Sequence, residues 1–261
     1  ISGSSKKHSK YVFAHSDYLK CSNPLAGFSS KEEAAAAYKK FDKVICVSKK
    51  AKESFDTLFD TSNTTVAYNI YDIERIRELS KHTPFDKKKF TVCAVGRLCE
   101  AKNYSLLLDV CRELNDRGLD FECYIVGKGE DLEMMLKKKT ELKLDNVILV
   151  GATPNPYSYM AQSDIYVSTS IYEGLSTTTI EALILNKPCV VTNCTGMEEI
   201  LCDGERTYGM IVPIDKTAVA DAIESLYKDP KKLEEMKSLA AIRAGNFETE
   251  KLYERIMSVI K

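Results

Sequence analysis

The sequence predicts an α/β protein built on doubly wound parallel sheets. Short, almost entirely apolar segments alternate along the 261-residue chain with longer segments of mixed polarity. Strands without polar positions are typical of parallel sheets that are covered on both faces. The intervening segments are long enough for a helix, as connections between parallel strands require.

Each element follows from its local pattern. In the first part of the chain, the pattern predicts three strands, at 11–15, 44–48 and 65–69. It also predicts two helices, near 31–40 and 49–58. A connector at 81–89 carries Pro84 and several lysines, which is typical of a linker between domains. Six further strands alternate with helical segments after it, at 90–96, 121–127, 146–151, 164–170, 188–193 and 209–213.

These elements divide the chain into four expected parts. We expect a partial first domain over 1–80, a linker over 81–89 and a main domain over 90–245. A final helical segment over 246–261 is expected to pack back on the first domain. The chain has no initiator Met and enters a strand almost at once, so we expect that earlier strands of the first domain are missing.

The composition narrows the class of protein. Hydrophobic residues make up 44 % of the chain, which supports an ordinary core, and no apolar segment is long enough to span a membrane. A formal charge of −1 argues against binding nucleic acid through bulk electrostatics. The nine cysteines show no CxxC spacing, and several lie in predicted core strands. Reduced thiols in a cytoplasmic protein are therefore expected.

Glycine and basic residues follow neighbouring strands of the main domain. Ligands of doubly wound sheets bind beyond the carboxyl ends of the strands, and glycine lets a ligand approach the backbone closely. We therefore expect a binding cleft at these strand ends, although glycines that only make turns are the alternative for any single loop. The residues concerned are Gly96, Arg97, Lys102, Gly127, Lys128, Ala152 and Thr153.

The segment STSIYEGLSTTTIEALILNKP, at 168–188, places a run of hydroxyl residues between two glutamates. Ser176 or Thr177 is expected to cap a helix that runs to about Asn186. The free N–H groups near 175–178 and the positive end of the helix dipole then form an anion site. Such a helix start suits a phosphate group.

Charged side chains around this helix start indicate a ligand that carries a diphosphate and hydroxyl groups. Arg97 offers a planar fork to phosphate oxygens and Lys102 a point charge, so both can stabilise a diphosphate. Glu181 can accept hydrogen bonds from the hydroxyls of a ribose, and Glu173 can accept them from a sugar. The alternatives are that Glu181 is an ordinary glutamate on the helix surface and that Glu173 is a solvated loop residue. No DxD, HExxH or Cys/His ligand spacing is present, so we expect no required metal.

Several motifs together resemble one family of enzymes. EGLSTTTIE followed by ALILNKPCV is similar to the donor-binding signature of retaining glycosyltransferases of family 4, also called glycosyl transferases group 1. These enzymes have the GT-B fold, which consists of two Rossmann-like domains. AVGRLCEAKNYSLLLDV resembles the Gly-Arg-Leu and Lys-Asn segment of the family, and YIVGKGED resembles its glycine loop. The resemblance covers residues 90–261.

The resemblance implies a role for each motif residue. It implies that Arg97 and Lys102 hold the donor diphosphate, that Glu173 contacts the donor sugar and that Glu181 contacts the ribose. Backbone groups are implied to contact the phosphates at Gly174, Leu175, Ser176, Thr177 and Thr178. The loops implied to approach the nucleotide lie at Gly96, Gly127, Lys128, Ala152 and Thr153.

A histidine in the first domain belongs to the same resemblance. YVFAHSDY resembles a strand of the acceptor-side domain that ends in a histidine facing the donor sugar. This implies that His15 is an active-site residue, and an ordinary histidine at a strand end is the alternative. The family begins with further strands and a glycine-rich loop that this sequence does not contain. We therefore expect nucleotide-sugar binding to survive in this chain. Catalysis by this chain alone and catalysis that needs the absent part are the two alternatives.

The implied protein is a retaining, metal-independent glycosyltransferase. It would move a sugar from a nucleotide-diphosphate donor, expected to be a UDP-sugar, to a hydroxyl acceptor such as a glycan or lipid-linked glycan in polysaccharide or glycoconjugate biosynthesis. A nucleotide-sugar epimerase of the same fold and a non-catalytic nucleotide-sugar-binding fragment are the alternatives. The lysines of 6–10, 39–52 and 87–89 suggest peripheral association with the inner face of a membrane, with ordinary solvated faces as the alternative.

Overall fold

The computed structural model describes residues 9–25 and 27–260 and contains two parallel sheets. The first sheet has the order β1-β2-β3, formed by β1 (Tyr11–Ala14), β2 (Lys43–Cys46) and β3 (Thr64–Val66). The second has the order β6-β5-β4-β7-β8-β9, formed by β4 (Phe90–Val95), β5 (Phe121–Val126), β6 (Val147–Gly151), β7 (Ile165–Ser168), β8 (Cys189–Thr192) and β9 (Met210–Val212). All nine predicted strands are confirmed, most with slightly shorter ends.

Helices connect the strands of both sheets. They are α1 (Lys31–Tyr38), α2 (Lys49–Phe59), α3 (Ile73–Leu79), α4 (Tyr104–Asp116), α5 (Leu132–Glu141), α6 (Pro156–Gln162), α7 (Thr177–Ile184), α8 (Met197–Leu201), α9 (Lys216–Lys228), α10 (Pro230–Ala244) and α11 (Thr249–Val259). The predicted helices at 31–40 and 49–58 correspond to α1 and α2. The parallel, doubly wound α/β architecture is confirmed.

The strand order reverses between β4 and β7, and this reversal positions the candidate site. β4 pairs with β5 on one side, while Val92 and Cys93 pair with Ile165 and Tyr166 of β7 on the other. At such a switch point, the connections that follow the two neighbouring strands run in opposite directions along the sheet. A crevice therefore forms between the two loops at the carboxyl ends of these strands. The loops after β4 and β7 therefore lie side by side at the carboxyl edge of the sheet.

The core lies on both faces of the second sheet. Val92 and Ala94 of β4 belong to an apolar cluster with residues of α4 and α9, whereas Cys93 and Val95 belong to another that includes α7. This alternation follows from the two-residue period of a strand and explains why the strand carries no exposed polar position. The second cluster continues into the first sheet. All nine cysteines are free thiols.

The C-terminal helix contacts the first sheet and the segment after it. The Tyr11 hydroxyl donates to the carbonyl oxygen of Ile260 at 2.8 Å, and the Thr249 hydroxyl donates to that of Tyr71 at 2.7 Å. The domain boundaries at 80 and 245 stay a prediction. Within the described part of the chain, every helix is too short or too polar to cross a lipid bilayer. Residues 6–8 of the lysine-rich segment lie outside the described residues.

Candidate functional site

An ion pair joins the loops after β4 and β7. Lys102 Nζ lies 2.6 Å from Glu173 Oε1, and both side chains are largely buried, with exposed fractions of 20 % and 12 %. The Ser170 hydroxyl donates to the same carboxylate oxygen at 2.8 Å. The backbone N–H of Ile171 donates to the carbonyl oxygen of Ala101, which fixes the two loops to each other. The structure therefore brings together two residues that the sequence predicts as site residues.

Arg97 lies on the same loop but is exposed. In contrast to Lys102, its guanidinium forms no ion pair with the residues that the structure describes. A cation without an internal partner keeps its hydrogen-bond donors available for an anionic ligand.

The loop after β5 approaches the loop after β4 very closely. A Cβ atom on Gly127 would lie 1.8 Å from the carbonyl oxygen of Gly96, and Gly127 has a φ of +150°. Only glycine fits this position, because any side chain would collide with the backbone. The N–H of Leu98 donates to the carbonyl oxygen of Lys128 at 3.0 Å, which completes the contact. Gly96, Gly127 and Lys128 thus lie together, as predicted.

The loop after β6 lies next to them. The N–H of Gly127 donates to the carbonyl oxygen of Gly151 at 2.9 Å. Ala152 is exposed, and the Thr153 hydroxyl accepts from the N–H of Asn155 within its own turn. These two residues border the edge of the sheet but do not contact the Lys102–Glu173 pair through any hydrogen bond.

Helix α7 starts without a side-chain cap. Ser176 is the N-cap residue, yet its side chain accepts from the Thr179 hydroxyl at 2.9 Å instead of from a backbone N–H. The predicted capping bond is therefore wrong, because the two hydroxyl side chains pair with each other. The helix also ends at Ile184 rather than near Asn186. Without that cap, the N–H groups of the first turn stay available to a ligand.

The loop between Glu173 and α7 lies against the first sheet. A Cβ atom on Gly174 would lie 2.0 Å from the carbonyl oxygen of His15 and 3.0 Å from Ser16 Cα. His15 thus meets the predicted donor loop through its backbone. Its imidazole retains solvent access, while partial burial lowers the pKa of His15 below the ordinary value.

Ser48 holds the same loop and was missed in the sequence. Its buried hydroxyl donates to the carbonyl oxygen of Gly174 at 2.6 Å and accepts from the N–H of Ala51 at 3.0 Å. Ser48 therefore caps α2 and anchors the Glu173 loop at once. The position of this serine between β2 and α2 could have predicted the cap. Nothing in the sequence pattern predicts its partner, Gly174, in the loop between β7 and α7.

We expect Ser48→Ala to destabilise the protein by about 2–3 kcal/mol, because it removes a helix cap and leaves a buried carbonyl without a donor. Ser30→Ala is the matched control, since Ser30 caps α1 by accepting from the N–H of Glu33 at 3.2 Å and has no such second bond. It should cost about 1 kcal/mol. Urea denaturation measures both, and equal losses would contradict the anchoring role of Ser48.

Glu181 lies in a separate small cavity of about 290 Å³. Its carboxylate Oε1 accepts from the Tyr157 hydroxyl at 3.1 Å. Burial raises the pKa of Glu181 to about 7, while the bond from Tyr157 and the charge of Lys102 oppose that rise. The cavity is also lined by Tyr71 and by Thr177, the first residue of α7. Glu181 is thus a half-buried carboxylate beside the helix start, not a surface glutamate.

A larger cavity of about 980 Å³ lies between α2 and α8. None of the predicted site residues lines it. Its buried Asp17 accepts from the Thr195 hydroxyl at 2.6 Å, and Glu199 accepts from the N–H of Lys49 and from the Tyr68 hydroxyl. Because these carboxylates already have partners, we place the candidate site at the strand ends.

Known proteins share the sequence pattern of this chain. A profile of the family described as glycosyl transferases group 1 matches residues 75–243. An uncharacterised glycosyltransferase of Methanocaldococcus jannaschii is 31 % identical over 176 residues, which are 63 % of this chain and 43 % of that protein. The N-acetylgalactosamine-N,N'-diacetylbacillosaminyl-diphospho-undecaprenol 4-alpha-N-acetylgalactosaminyltransferase of Campylobacter jejuni is 30 % identical over 220 residues, 82 % of this chain and 59 % of that protein. The chain spans about half the length of these curated relatives.

Solved structures share its fold. TarM of S. aureus, as a variant in complex with Fondaparinux, alpha-GlcNAc-glycerol and UDP, superposes with a TM-score of 0.82 at 22 % identity, covering 98 % of this chain and 51 % of that chain. HepE of Anabaena in complex with UDP has a TM-score of 0.78 at 21 % identity, covering 97 % and 72 %. These likenesses agree with the predicted Rossmann-like fold of GT-B type. The profile covers more than half of the chain, and the chain therefore belongs to the glycosyl transferases group 1 family.

Proposed function

We propose that this chain carries the donor site of a retaining, family 4 glycosyltransferase that moves a sugar from a UDP-sugar to a hydroxyl acceptor. The observation that carries the proposal is the Lys102–Glu173 ion pair of 2.6 Å beside the uncapped start of α7. A cation, a carboxylate and free backbone N–H groups together suit a ligand that joins a diphosphate to a polyol.

The proposed roles follow from the chemistry of each group. Arg97, Lys102 and the start of α7 stabilise the negative charge that develops on the diphosphate when the bond to the sugar breaks. Glu173 and His15 orient the sugar, and Glu181 accepts from the ribose. The acceptor hydroxyl attacks the face that the diphosphate leaves, and its proton passes to the departing phosphate oxygen. Because protein cations neutralise the diphosphate, the reaction needs no metal in this proposal.

The names of relatives support the ligand classes. TarM and HepE were each determined with UDP, which supports UDP as the nucleotide. The Campylobacter relative carries diphospho-undecaprenol in its name, which supports a glycan or lipid-linked glycan as acceptor. We accordingly propose a cytoplasmic protein that works at the inner face of the membrane, in polysaccharide or glycoconjugate biosynthesis.

Incubation with a panel of UDP-sugars in EDTA tests this function. We expect release of UDP, either by transfer or by slow donor hydrolysis, with the anomeric configuration of the sugar retained in the ¹H NMR spectrum. An epimerised donor without UDP release would instead support the epimerase, and binding without any turnover would support the non-catalytic fragment. A product of inverted configuration would contradict retention.

The stability of the unliganded protein should depend on the charge of Glu181. The ordinary pKa of this carboxyl is 4.5 and its pKa in the folded protein is about 7, so the folded chain holds a proton that the unfolded chain has released between these values. Stability therefore falls as pH rises through this window and levels off above it. We expect wild type to lose roughly 3 kcal/mol relative to Glu181→Gln between pH 4.5 and 8.

Urea denaturation of both proteins across this pH range measures the difference. The neutral glutamine is the internal control, because all other titrating groups are shared by the two proteins. A constant difference between the two stabilities would contradict the raised pKa of Glu181.

A further inference from the structure

Tyr71 lies on the segment between β3 and α3 and lines the cavity that contains Glu181. Its side chain is only 5 % exposed. Three buried side-chain oxygens of the described residues lack a hydrogen-bond partner, and only the Tyr71 hydroxyl among them carries a proton to donate. The other two belong to side-chain amides that do not line this cavity.

Two other enclosed tyrosine hydroxyls, at Tyr166 and Tyr68, have partners. The Tyr166 hydroxyl pairs with that of Thr178 at 2.7 Å, and the Tyr68 hydroxyl donates to Glu199 Oε1 at 2.7 Å. A buried hydroxyl without a partner is costly, so native proteins rarely keep one unless a ligand or water satisfies it. The unpaired, enclosed hydroxyl of Tyr71 therefore points to a ligand in the cavity.

The groups around Tyr71 define the chemistry of that ligand. Burial, with the charge of Glu181 as a second cause, raises the pKa of Tyr71, and the neighbouring Asn69 side chain opposes that rise. The hydroxyl therefore stays protonated, and its proton is available to an acceptor. When Glu181 is ionised, its carboxylate accepts hydrogen bonds but cannot donate one. Its Oε1 already accepts a hydrogen bond from the Tyr157 hydroxyl. A ligand that fits both residues must donate to one and accept from the other, and a vicinal diol does so with its two hydroxyls.

The position of the cavity relates this diol to the nucleotide. Thr177 begins α7 and Glu181 follows about one helical turn later, a rise of about 5–6 Å. In a nucleoside diphosphate the ribose is bonded directly to the diphosphate. With the diphosphate at the start of α7, the ribose therefore reaches this cavity, whose volume of about 290 Å³ admits a group of that size.

We propose that the Tyr71 hydroxyl binds the ribose of the donor, donating to one hydroxyl of the diol while Glu181 accepts from the other. This inference rests on the proposed function and adds a residue of the segment between β3 and α3 that selects ribonucleotides. A site built to bind a substrate hydroxyl rejects an analogue that lacks it, because a buried polar group then stays unpaired. Tyr71 thus makes the donor site specific for ribose over deoxyribose.

Calorimetric titration of wild type and Tyr71→Phe with UDP, 2'-deoxy-UDP and 3'-deoxy-UDP tests the inference. The phenylalanine removes only the hydroxyl and keeps the ring. We expect Tyr71→Phe to lower the affinity for UDP by roughly 3- to 10-fold. It should leave the affinity for one of the two deoxy analogues unchanged, because that analogue lacks the hydroxyl to which Tyr71 donates.

Tyr68→Phe is the matched control, since it removes a tyrosine hydroxyl from the same segment whose partner is Glu199, outside the cavity. It should leave the ratio of UDP to deoxy-UDP affinity at the wild-type value. Equal affinity of wild type for UDP and both analogues would overturn the inference. So would an unchanged ratio in Tyr71→Phe while Glu181→Gln weakens UDP, and the proposed function would then stand. A folded wild-type chain that binds none of the nucleotides would overturn both.

Discussion

Replacement of Arg97 by alanine is expected to weaken UDP binding by about 10- to 100-fold and to leave uridine binding almost unchanged. Arg97 is exposed at the carboxyl edge of the sheet and forms no ion pair with residues 9–25 and 27–260, so its charge is available to the diphosphate. Hydrogen bonds to charged groups contribute about 1.5–3 kcal/mol, which corresponds to this loss. Titration with UDP and with uridine separates the two parts of the ligand.

Arg206→Ala is the control for this change, because Arg206 is also exposed and lies outside the candidate site. It should leave both affinities at the wild-type value. Equal losses of UDP and uridine affinity in Arg97→Ala would show that Arg97 shapes the site as a whole, against a role at the diphosphate.

Replacement of Gly174 by alanine is expected to lower donor turnover by about 100-fold. The new Cβ atom would lie 2.0 Å from the carbonyl oxygen of His15, so the loop that carries Glu173 must move away from the first sheet. A displacement of about 1 Å in a reacting geometry can cost about two orders of magnitude in rate. The crowding should also destabilise the fold by about 1–3 kcal/mol.

Gly245→Ala is the matched control for the glycine change. Gly245 has a φ of −59°, and the nearest atom to its added Cβ lies 4.0 Å away. Alanine fits there and should be neutral or slightly stabilising. Wild-type rates of UDP release in Gly174→Ala would show that contact with the first sheet does not position Glu173.

Much of this architecture could be predicted from the sequence, because the pattern of each strand is local. The run of β4 has no charged residue, and the structure buries its one polar residue, Thr91. It buries Val92 and Cys93 on opposite faces of the sheet. The adjacency of Lys102 and Glu173 also follows from local facts. Both residues come after strands of one parallel sheet, and parallel strands present their carboxyl ends at one edge.

Contacts between the two sheets could not be predicted in this way. Ser48 and Gly174 are 126 positions apart, and nothing in either local pattern indicates that they meet. The missing partner of Tyr71 depends on how the segment between β3 and α3 packs near α7. The capping bond predicted for Ser176 was also wrong because of a side-chain contact that the local pattern does not reveal. In the folded turn, the Ser176 hydroxyl accepts from the Thr179 hydroxyl instead of from a backbone N–H.

Calorimetric titration of this chain with UDP, GDP and ADP in the presence of EDTA tests the proposed donor site most directly. The proposed donor site predicts that UDP binds selectively without a divalent metal, because Arg97, Lys102 and the start of α7 supply the charge that the diphosphate needs. A folded chain that binds none of the three nucleotides, or that binds UDP only when a metal is restored, would contradict it.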